Sequence, residues 1–144
     1  MAPNLFRVLL ALVALYALLR GRRDERQVGI IFVVGVIATE LVLPPRQERF
    51  EGVETHLMLV DVAVFLGFSW VAIRSERFWP LWIAGLQLTA IFGHVLKAID
   101  VQLYARAYGA ALVFWAYPML LILAVGTWRG RRRVLAEECS TVAT

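Results

Sequence analysis

Residues 78–100 read FWPLWIAGLQLTAIFGHVLKAID, and this segment is apolar over nearly its whole length. About 20 mostly apolar residues are enough for one α-helix to cross the hydrocarbon core of a bilayer. The segment also contains Gln87, His94 and Lys97, and an ionisable group at membrane depth costs about 2.5 to 3.5 kcal/mol on insertion scales. The segment therefore predicts a membrane helix whose polar residues have partners or a function.

The composition of the whole chain also indicates a membrane protein. Of its 144 residues, 60% are hydrophobic and 18% are charged, and the net charge is +4. The arginines occur in short clusters at the ends of apolar runs, which is typical of topology signals and unlike the basic face of a nucleic-acid binder. We therefore expect a lipid bilayer around the protein and no nucleic-acid partner. Cys139 is the single cysteine, so one chain cannot form an internal disulfide.

Apolar segments of membrane-spanning length recur along the chain. The first runs directly into Arg20 without a small-residue cleavage site, so we expect it to be retained. Pro44 and Pro45 end the second, because proline lacks the amide hydrogen and disfavours helix in the residue before it. The sequence predicts a single all-α membrane domain, 1–144, that is a five-transmembrane-helix bundle with a basic cytoplasmic tail at 129–144. The predicted spans are 3–19, 27–43, 54–73, 78–100 and 106–128.

The distribution of arginine predicts the orientation of this bundle. Most arginines follow the first, third and fifth spans, namely Arg20, Arg22, Arg23, Arg26, Arg74, Arg77, Arg129, Arg131, Arg132 and Arg133. The opposite side has Arg46, Arg49 and Arg106. Because an excess of arginine and lysine marks cytoplasmic loops, we expect the N-terminus outside and the C-terminus in the cytoplasm. The predicted location is a bacterial-type inner (plasma) membrane, crossed several times.

Ionisable residues within the predicted spans gather in the outer half of the bundle. Gln87, His94 and Lys97 lie on one stripe, because spacings of three and seven residues return to nearly the same helix face. A rise of about 1.5 Å per residue places Asp61 level with His94, and Glu40 level with Lys97. We predict an Asp61–His94 hydrogen bond and a Glu40–Lys97 ion pair. The complete predicted network is Glu40, Glu54, Asp61, His94, Lys97 and Asp100.

This network has a structural and a functional interpretation. Interhelical polar contacts in membranes are worth on average about 0.6 kcal/mol, so these pairs can simply fix the register of the helices. Alternatively, a carboxylate beside a histidine, in a pocket open to the outside, binds a proton, a cation or a polar group of a partner. The sequence alone does not separate the two.

The two histidines raise the question of a cofactor, since imidazole ligates haem iron and many metals. At 100° per residue, His56 lies about 140° around the third span from Asp61, which argues against a haem held by His56 and His94. No metal-binding motif accompanies these residues. We predict no cofactor, and we keep two alternatives: haem b, and a metal ion held by His94 with Asp61 or Glu40, with His56 as a further candidate ligand.

Small residues at four-residue spacing form two predicted helix-contact ridges. Gly85, Thr89 and Gly93 form one on the fourth span, and Ala63 and Gly67 form a shorter one on the third. Small residues at this spacing allow another helix to approach closely in a membrane. The tail residues Arg129, Arg131, Arg132 and Arg133 are suited to anionic lipid headgroups or an acidic partner.

These features predict a small polytopic inner-membrane protein that is an accessory or assembly subunit of a larger membrane protein complex, or a homo-oligomer. The sequence contains no nucleotide-binding loop, metalloprotease motif, nucleophile elbow or CxxC pair, so we do not expect an enzyme. One alternative is an oligomeric proton- or cation-coupled carrier that uses Asp61, His94, Glu40 and Lys97. The other is a membrane protein that binds haem, a metal or a pigment.

Overall fold

The computed structural model describes residues 3–42, 55–99 and 105–142, and these residues are almost entirely helical. Their helices are α1 (Pro3–Arg20), α2 (Arg23–Val42), α3 (Thr55–Arg74), α4 (Trp79–Ile99) and α5 (Ala105–Val142). The described part contains no strand, so the predicted all-α class is confirmed there. Helix α2 begins one turn before the predicted span because its first turn, although charged, consists of residues compatible with helix.

Consecutive helices pack side by side and run antiparallel. The Val64 side chain lies against Gly35, whereas the Ser75 hydroxyl donates a hydrogen bond to Asp24. The start of α2 therefore lies beside the end of α3, and the two helices run in opposite directions. Helix α1 contacts both α2 and α5, which closes the order α1, α2, α3, α4, α5 into a ring, and α2 also contacts α5.

A two-residue link, Gly21 and Arg22, turns the chain between α1 and α2. The Gly21 amide donates to the Ala17 carbonyl at 2.8 Å, and the Arg22 amide donates to Glu25 Oε2 at 2.9 Å. The second bond is the glutamate half of a capping box, in which a side chain three residues into the helix satisfies a free amide at the helix start. A Cβ at position 21 would lie 2.7 Å from the Glu25 Cβ, so this tight turn requires glycine.

Apolar side chains lie both inside and outside the ring. The fully buried ones include Phe68, Ile83, Leu120 and Leu123. Large apolar side chains are also exposed on every helix, for example Leu12 (61%), Val34 (58%), Leu66 (61%), Trp82 (69%) and Leu121 (64%). A soluble bundle of this size would instead present polar residues on its outer face.

Among the described residues, the stretches Thr55–Arg74 and Trp79–Leu96 are long and apolar enough to cross a membrane. Helix α2 is apolar in its middle but carries five charged residues, Arg23, Asp24, Glu25, Arg26 and Glu40. The predicted crossing of the bilayer by all five helices is therefore not confirmed and stays a prediction.

Helix α5 is longer than the predicted fifth span. It has 38 residues and continues through the arginine cluster to Val142, so most of the predicted tail is helical. At a rise of about 1.5 Å per residue it is about 57 Å long, nearly twice the hydrocarbon thickness of about 30 Å. The arginine-rich end of α5 therefore extends beyond what one bilayer crossing requires.

Candidate functional site

A cavity of about 210 Å³ lies inside the ring, and each of the five helices contributes to its wall. The wall is largely apolar, with Phe6 from α1, Phe32 from α2 and Met119 from α5. Its polar members are Thr39, Asp61, Gln87 and His94. A cavity with an apolar lining and a few convergent polar groups has the character of a small-molecule site.

Asp61 is the centre of the polar wall. Gln87 Nε2 donates to Asp61 Oδ1 at 2.9 Å, and His94 Nε2 lies 2.8 Å from Asp61 Oδ2. The side chain of His94 is 4% exposed, whereas that of Asp61 is 25% exposed. Both carboxylate oxygens of Asp61, on α3, are thus hydrogen-bonded to side chains of α4. The carboxylate also borders the cavity.

The sequence spacing explains why these side chains meet. Gln87 and His94 are seven residues apart on α4, so both point to the same side of the helix. Antiparallel packing brings Asp61 of α3 between them. The structure contains the predicted Asp61–His94 hydrogen bond. The contact with Gln87 was not predicted, although its place on the stripe was visible in the sequence.

This arrangement favours hydrogen bonding over metal binding. An ionised Asp61 accepts from Gln87 and, when Nε2 carries the proton, from His94, and such charge-assisted bonds are stronger than neutral ones. Within the described residues, no group of three or more His, Cys, Asp or Glu side chains is assembled to hold a metal ion. Asp61 and His94 together offer two ligands, whereas a structural zinc site uses four and a catalytic one three.

The other members of the predicted network are distributed differently. The described partner of Glu40 is Arg7, whose Nη2 lies 2.6 Å from Glu40 Oε1 in an exposed ion pair. Glu54, Asp100 and the side chain of Lys97 lie outside the described residues, so the Glu40–Lys97 pair stays a prediction.

The position of His56 bears on the cofactor alternatives. Its side chain is exposed, whereas His94 is buried and lines the cavity. The two histidines therefore occupy different environments, as their rotation around α3 and α4 predicts.

No family model matches the chain, and no curated protein and no solved structure matches it.

A second polar cluster lies at the arginine-rich end of the ring and was not predicted. Glu25 is completely buried, and its Oε1 lies 2.6 Å from Arg77 Nη1. Gly130 of α5 lies directly against this pair. A Cβ at position 130 would be 3.0 Å from both Arg77 Nη1 and Glu25 Oε1, so the absence of a side chain there leaves room for the ion pair. The capping-box position of Glu25 was a local signal for its role, but its partner on the α3–α4 link is 52 residues away.

The two small-residue ridges have different surroundings. Gly67 contacts the Ile31 side chain, which would lie 3.3 Å from an added Cβ, so Gly67 serves the packing of α2 against α3, whereas Ala63 of the same ridge is exposed. Gly85 is exposed, and an added Cβ would meet no atom of the described residues within 4 Å. Thr89 donates its hydroxyl to the Gly85 carbonyl, which keeps this part of the α4 surface flat.

Proposed function

We propose that the protein crosses a bacterial-type inner membrane with all five helices, its N-terminus outside and its C-terminus in the cytoplasm. The observation that carries this proposal is the apolar outer surface on every helix around a ring that keeps Asp61, Gln87 and His94 on its inside. In water such a surface would aggregate, whereas in lipid it needs no further cover.

The arrangement of aromatic and basic residues supports the same proposal. Trp70, Trp82 and Trp128 are exposed by 56%, 69% and 49%, near the end of the ring where the arginines gather. The Arg74 guanidinium lies 3.9 Å from the centre of the Trp70 ring, and Arg132 lies 4.5 Å from that of Trp128. Tryptophan and arginine in this combination are typical of a membrane–water interface on the cytoplasmic side.

We infer that the role of this membrane bundle is that of an accessory or assembly subunit, in a larger complex or in a homo-oligomer. Gly85, the first residue of the predicted ridge on α4, is exposed, and no atom of the described residues lies within 4 Å of the position of a Cβ there. In a membrane, small residues of this kind let a second helix approach closely. A bundle of five helices is also too small to contain the two related repeats from which many transporters are built. Both features support the role of a subunit.

Gentle detergent extraction followed by mass spectrometry tests the subunit role. We expect a stoichiometric partner, or a second copy of the chain, to co-purify with the wild type. Gly85→Leu should reduce this association about tenfold, because a leucine side chain separates the helices. Ala11→Leu is the matched control, since Ala11 is exposed on α1. A wild-type protein that purifies as a monomer without partners would contradict the proposal.

A second candidate function is proton or cation handling at the interior cavity. The environment of Asp61 favours this function. Its side chain is 25% exposed, borders the cavity and is hydrogen-bonded to Gln87 and His94. Carboxylate and histidine pairs at membrane depth are the usual elements of proton relays.

Flux measurements in proteoliposomes test this candidate. Asp61→Asn keeps the shape of the side chain and removes its charge, so we expect it to abolish proton or cation flux while the protein still folds. Glu76→Gln removes one negative charge from an exposed side chain outside the cavity, and it should leave the flux unchanged. A wild type without flux, or an Asp61→Asn variant as active as wild type, would exclude carrier activity.

A further inference from the structure

We propose that the arginine-rich end of the ring binds one anionic phospholipid, with its headgroup among the arginines and one acyl chain along α5, beside the α3–α4 link. This inference rests on the proposed membrane location of the bundle. It concerns a site separate from the interior cavity, formed by the two short links and the cytoplasmic half of α5.

The headgroup part of the site is a cavity of about 420 Å³. Its arginines come from three parts of the chain, namely Arg22, Arg23, Arg74, Arg77 and Arg133, and its acidic residues are Asp24 and Glu76. Five guanidinium groups stand against these two carboxylates and the buried Glu25, which pairs with Arg77, so an excess of two positive charges remains. Guanidinium groups bind phosphate through two parallel hydrogen bonds, so this excess suits a phosphate diester.

The carboxylates nearest these arginines are already engaged. Asp24 accepts the Ser75 hydroxyl at 2.6 Å, and the buried Glu25 is bonded to Arg77 and to the Arg22 amide. These contacts hold the Arg77 side chain and the backbone of Arg22 at the cavity. With Arg77 paired to Glu25, the other four arginines of the cavity outnumber Asp24 and Glu76 by two, and this positive charge suits an anionic ligand.

A groove of about 510 Å³ continues from the headgroup cavity along α5, beside the α3–α4 link and Trp79 at the start of α4. The two share Glu76, Arg77 and Arg133 in their walls. Away from these residues the groove becomes apolar, with walls that include Phe78, Leu121, Ile122 and Val125. A basic cavity that opens into an apolar groove matches the two halves of a phospholipid.

Trp79 lies at the junction between the polar and apolar parts. Its indole lines the groove and packs against Gly126, where an added Cβ would lie 3.1 Å from the ring. Trp79 Nε1 is buried and has no hydrogen-bond partner among the described residues. A buried donor without an acceptor is costly, and the ester carbonyl of a glycerolipid is an acceptor at the depth of an interfacial tryptophan.

A phospholipid fits these observations better than other anions. A free phosphate or a nucleotide would occupy the arginine cavity and leave the apolar groove unfilled. An acidic peptide would likewise pair with the arginines without providing a chain for the groove. The anionic leaflet of the cytoplasmic membrane face supplies the lipid at the same level as the arginines.

Native mass spectrometry of the purified full chain in mixed micelles tests the proposal. We expect phosphatidylglycerol to be retained at least about tenfold better than phosphatidylcholine, because several arginines near the headgroup each favour the anionic lipid. The variant Arg22→Gln/Arg23→Gln/Arg133→Gln should lose this preference. It leaves Arg77, which holds Glu25, unchanged.

The matched control removes the same charge outside the site. Arg20→Gln/Arg131→Gln/Arg132→Gln changes three arginines that line neither cavity. Arg131 and Arg132 belong to the predicted lipid-facing tail but lie outside the proposed site, so this variant should keep the lipid preference. Val125→Trp fills the groove and should weaken lipid retention while leaving the arginines intact. Equal losses in the two triple variants, or no effect of Val125→Trp, would overturn a specific site. Inorganic phosphate that displaces the lipid at millimolar concentration would show an anion site without a lipid site.

The proposed membrane location is tested separately in the same preparation. A chain released from membranes by alkaline carbonate would contradict that location. A chain that stays in the membrane but retains both lipids equally would contradict only the lipid site. An acidic protein that co-purifies with the wild type and is lost from the arginine-site variant would assign these arginines to a protein partner and overturn the lipid proposal.

Discussion

Glu25 is the residue on which the arginine-rich end depends most. It is completely buried, and it joins three parts of the chain by bonding Arg77 of the α3–α4 link and capping the start of α2, beside Gly130 of α5. Breaking a buried ion pair by removing one partner is far more costly than breaking an exposed pair, because the other charge stays buried without compensation. Arg7 and Glu40 form such an exposed pair in the same protein.

We expect Glu25→Gln to lower the free energy of unfolding by about 3 kcal/mol, because Arg77 loses its buried partner. Glu40→Gln is the control and should cost at most about 1 kcal/mol, because its pair with Arg7 is exposed. Thermal or SDS-induced unfolding in detergent micelles measures both. Adding Arg77→Met to Glu25→Gln should recover part of the loss, since the uncompensated charge is then gone. Equal costs for Glu25→Gln and Glu40→Gln would refute a special role of Glu25.

At the scale of helices, close approach of α2 and α3 depends on two glycines in opposite helices. Gly35 faces Val64, and Gly67 faces Ile31, so each glycine accepts a branched side chain from the neighbouring helix. Such exchange of small and large residues holds helices together where lipid gives no hydrophobic driving force between them. Gly85 of α4 is different because its surroundings are open.

Gly35→Ala should destabilise the protein by about 1 to 3 kcal/mol, the usual cost of overpacking. Its Cβ would lie 2.8 Å from Val64 Cγ2, so one of the two helices must shift. Combining it with Val64→Ala should restore part of the stability, because the clashing methyl groups are removed. Gly85→Ala is the control; in the chain separated from any partner its Cβ meets no atom of the described residues, and it should gain up to about 1 kcal/mol through its higher helix propensity. Unfolding midpoints that fall equally for Gly35→Ala and Gly85→Ala would contradict this account of α2–α3 packing.

At the scale of the whole molecule, arginines from three parts of the chain meet at one end of the ring. They come from the α1–α2 turn, the α3–α4 link and α5. The Ser75–Asp24 and Arg77–Glu25 bonds tie the α3–α4 link to the start of α2, and Gly130 brings α5 to the same place. This agrees with an orientation in which one end of the bundle faces the cytoplasm.

The single cysteine provides a direct test of this orientation. Cys139 is exposed near the end of α5, beyond the arginine cluster. We expect a membrane-impermeant maleimide to label it in inside-out vesicles and not in intact spheroplasts. A Cys139→Ser chain carrying Ala2→Cys should show the opposite pattern, because the N-terminus is proposed to lie outside. Labelling of Cys139 in intact spheroplasts would reverse the proposed topology.

The sequence by itself determined the positions of the five helices, although not the first turn of α2 or the continuation of α5 beyond residue 128. It also determined the end of the bundle at which the arginines gather and the meeting of Asp61 with His94. These properties depend on spacing along a helix, where a fixed rise and rotation per residue set the depth and face of each side chain. Only the tertiary structure decided the partners of the polar side chains: Gln87 bonds to Asp61, Glu40 to Arg7, and the buried Glu25 to Arg77. It also decided that Gly67 packs against a neighbouring helix, whereas Gly85 meets no atom of the described residues. These choices depend on which faces of neighbouring helices meet, and that rotation is set by the packing of the whole ring.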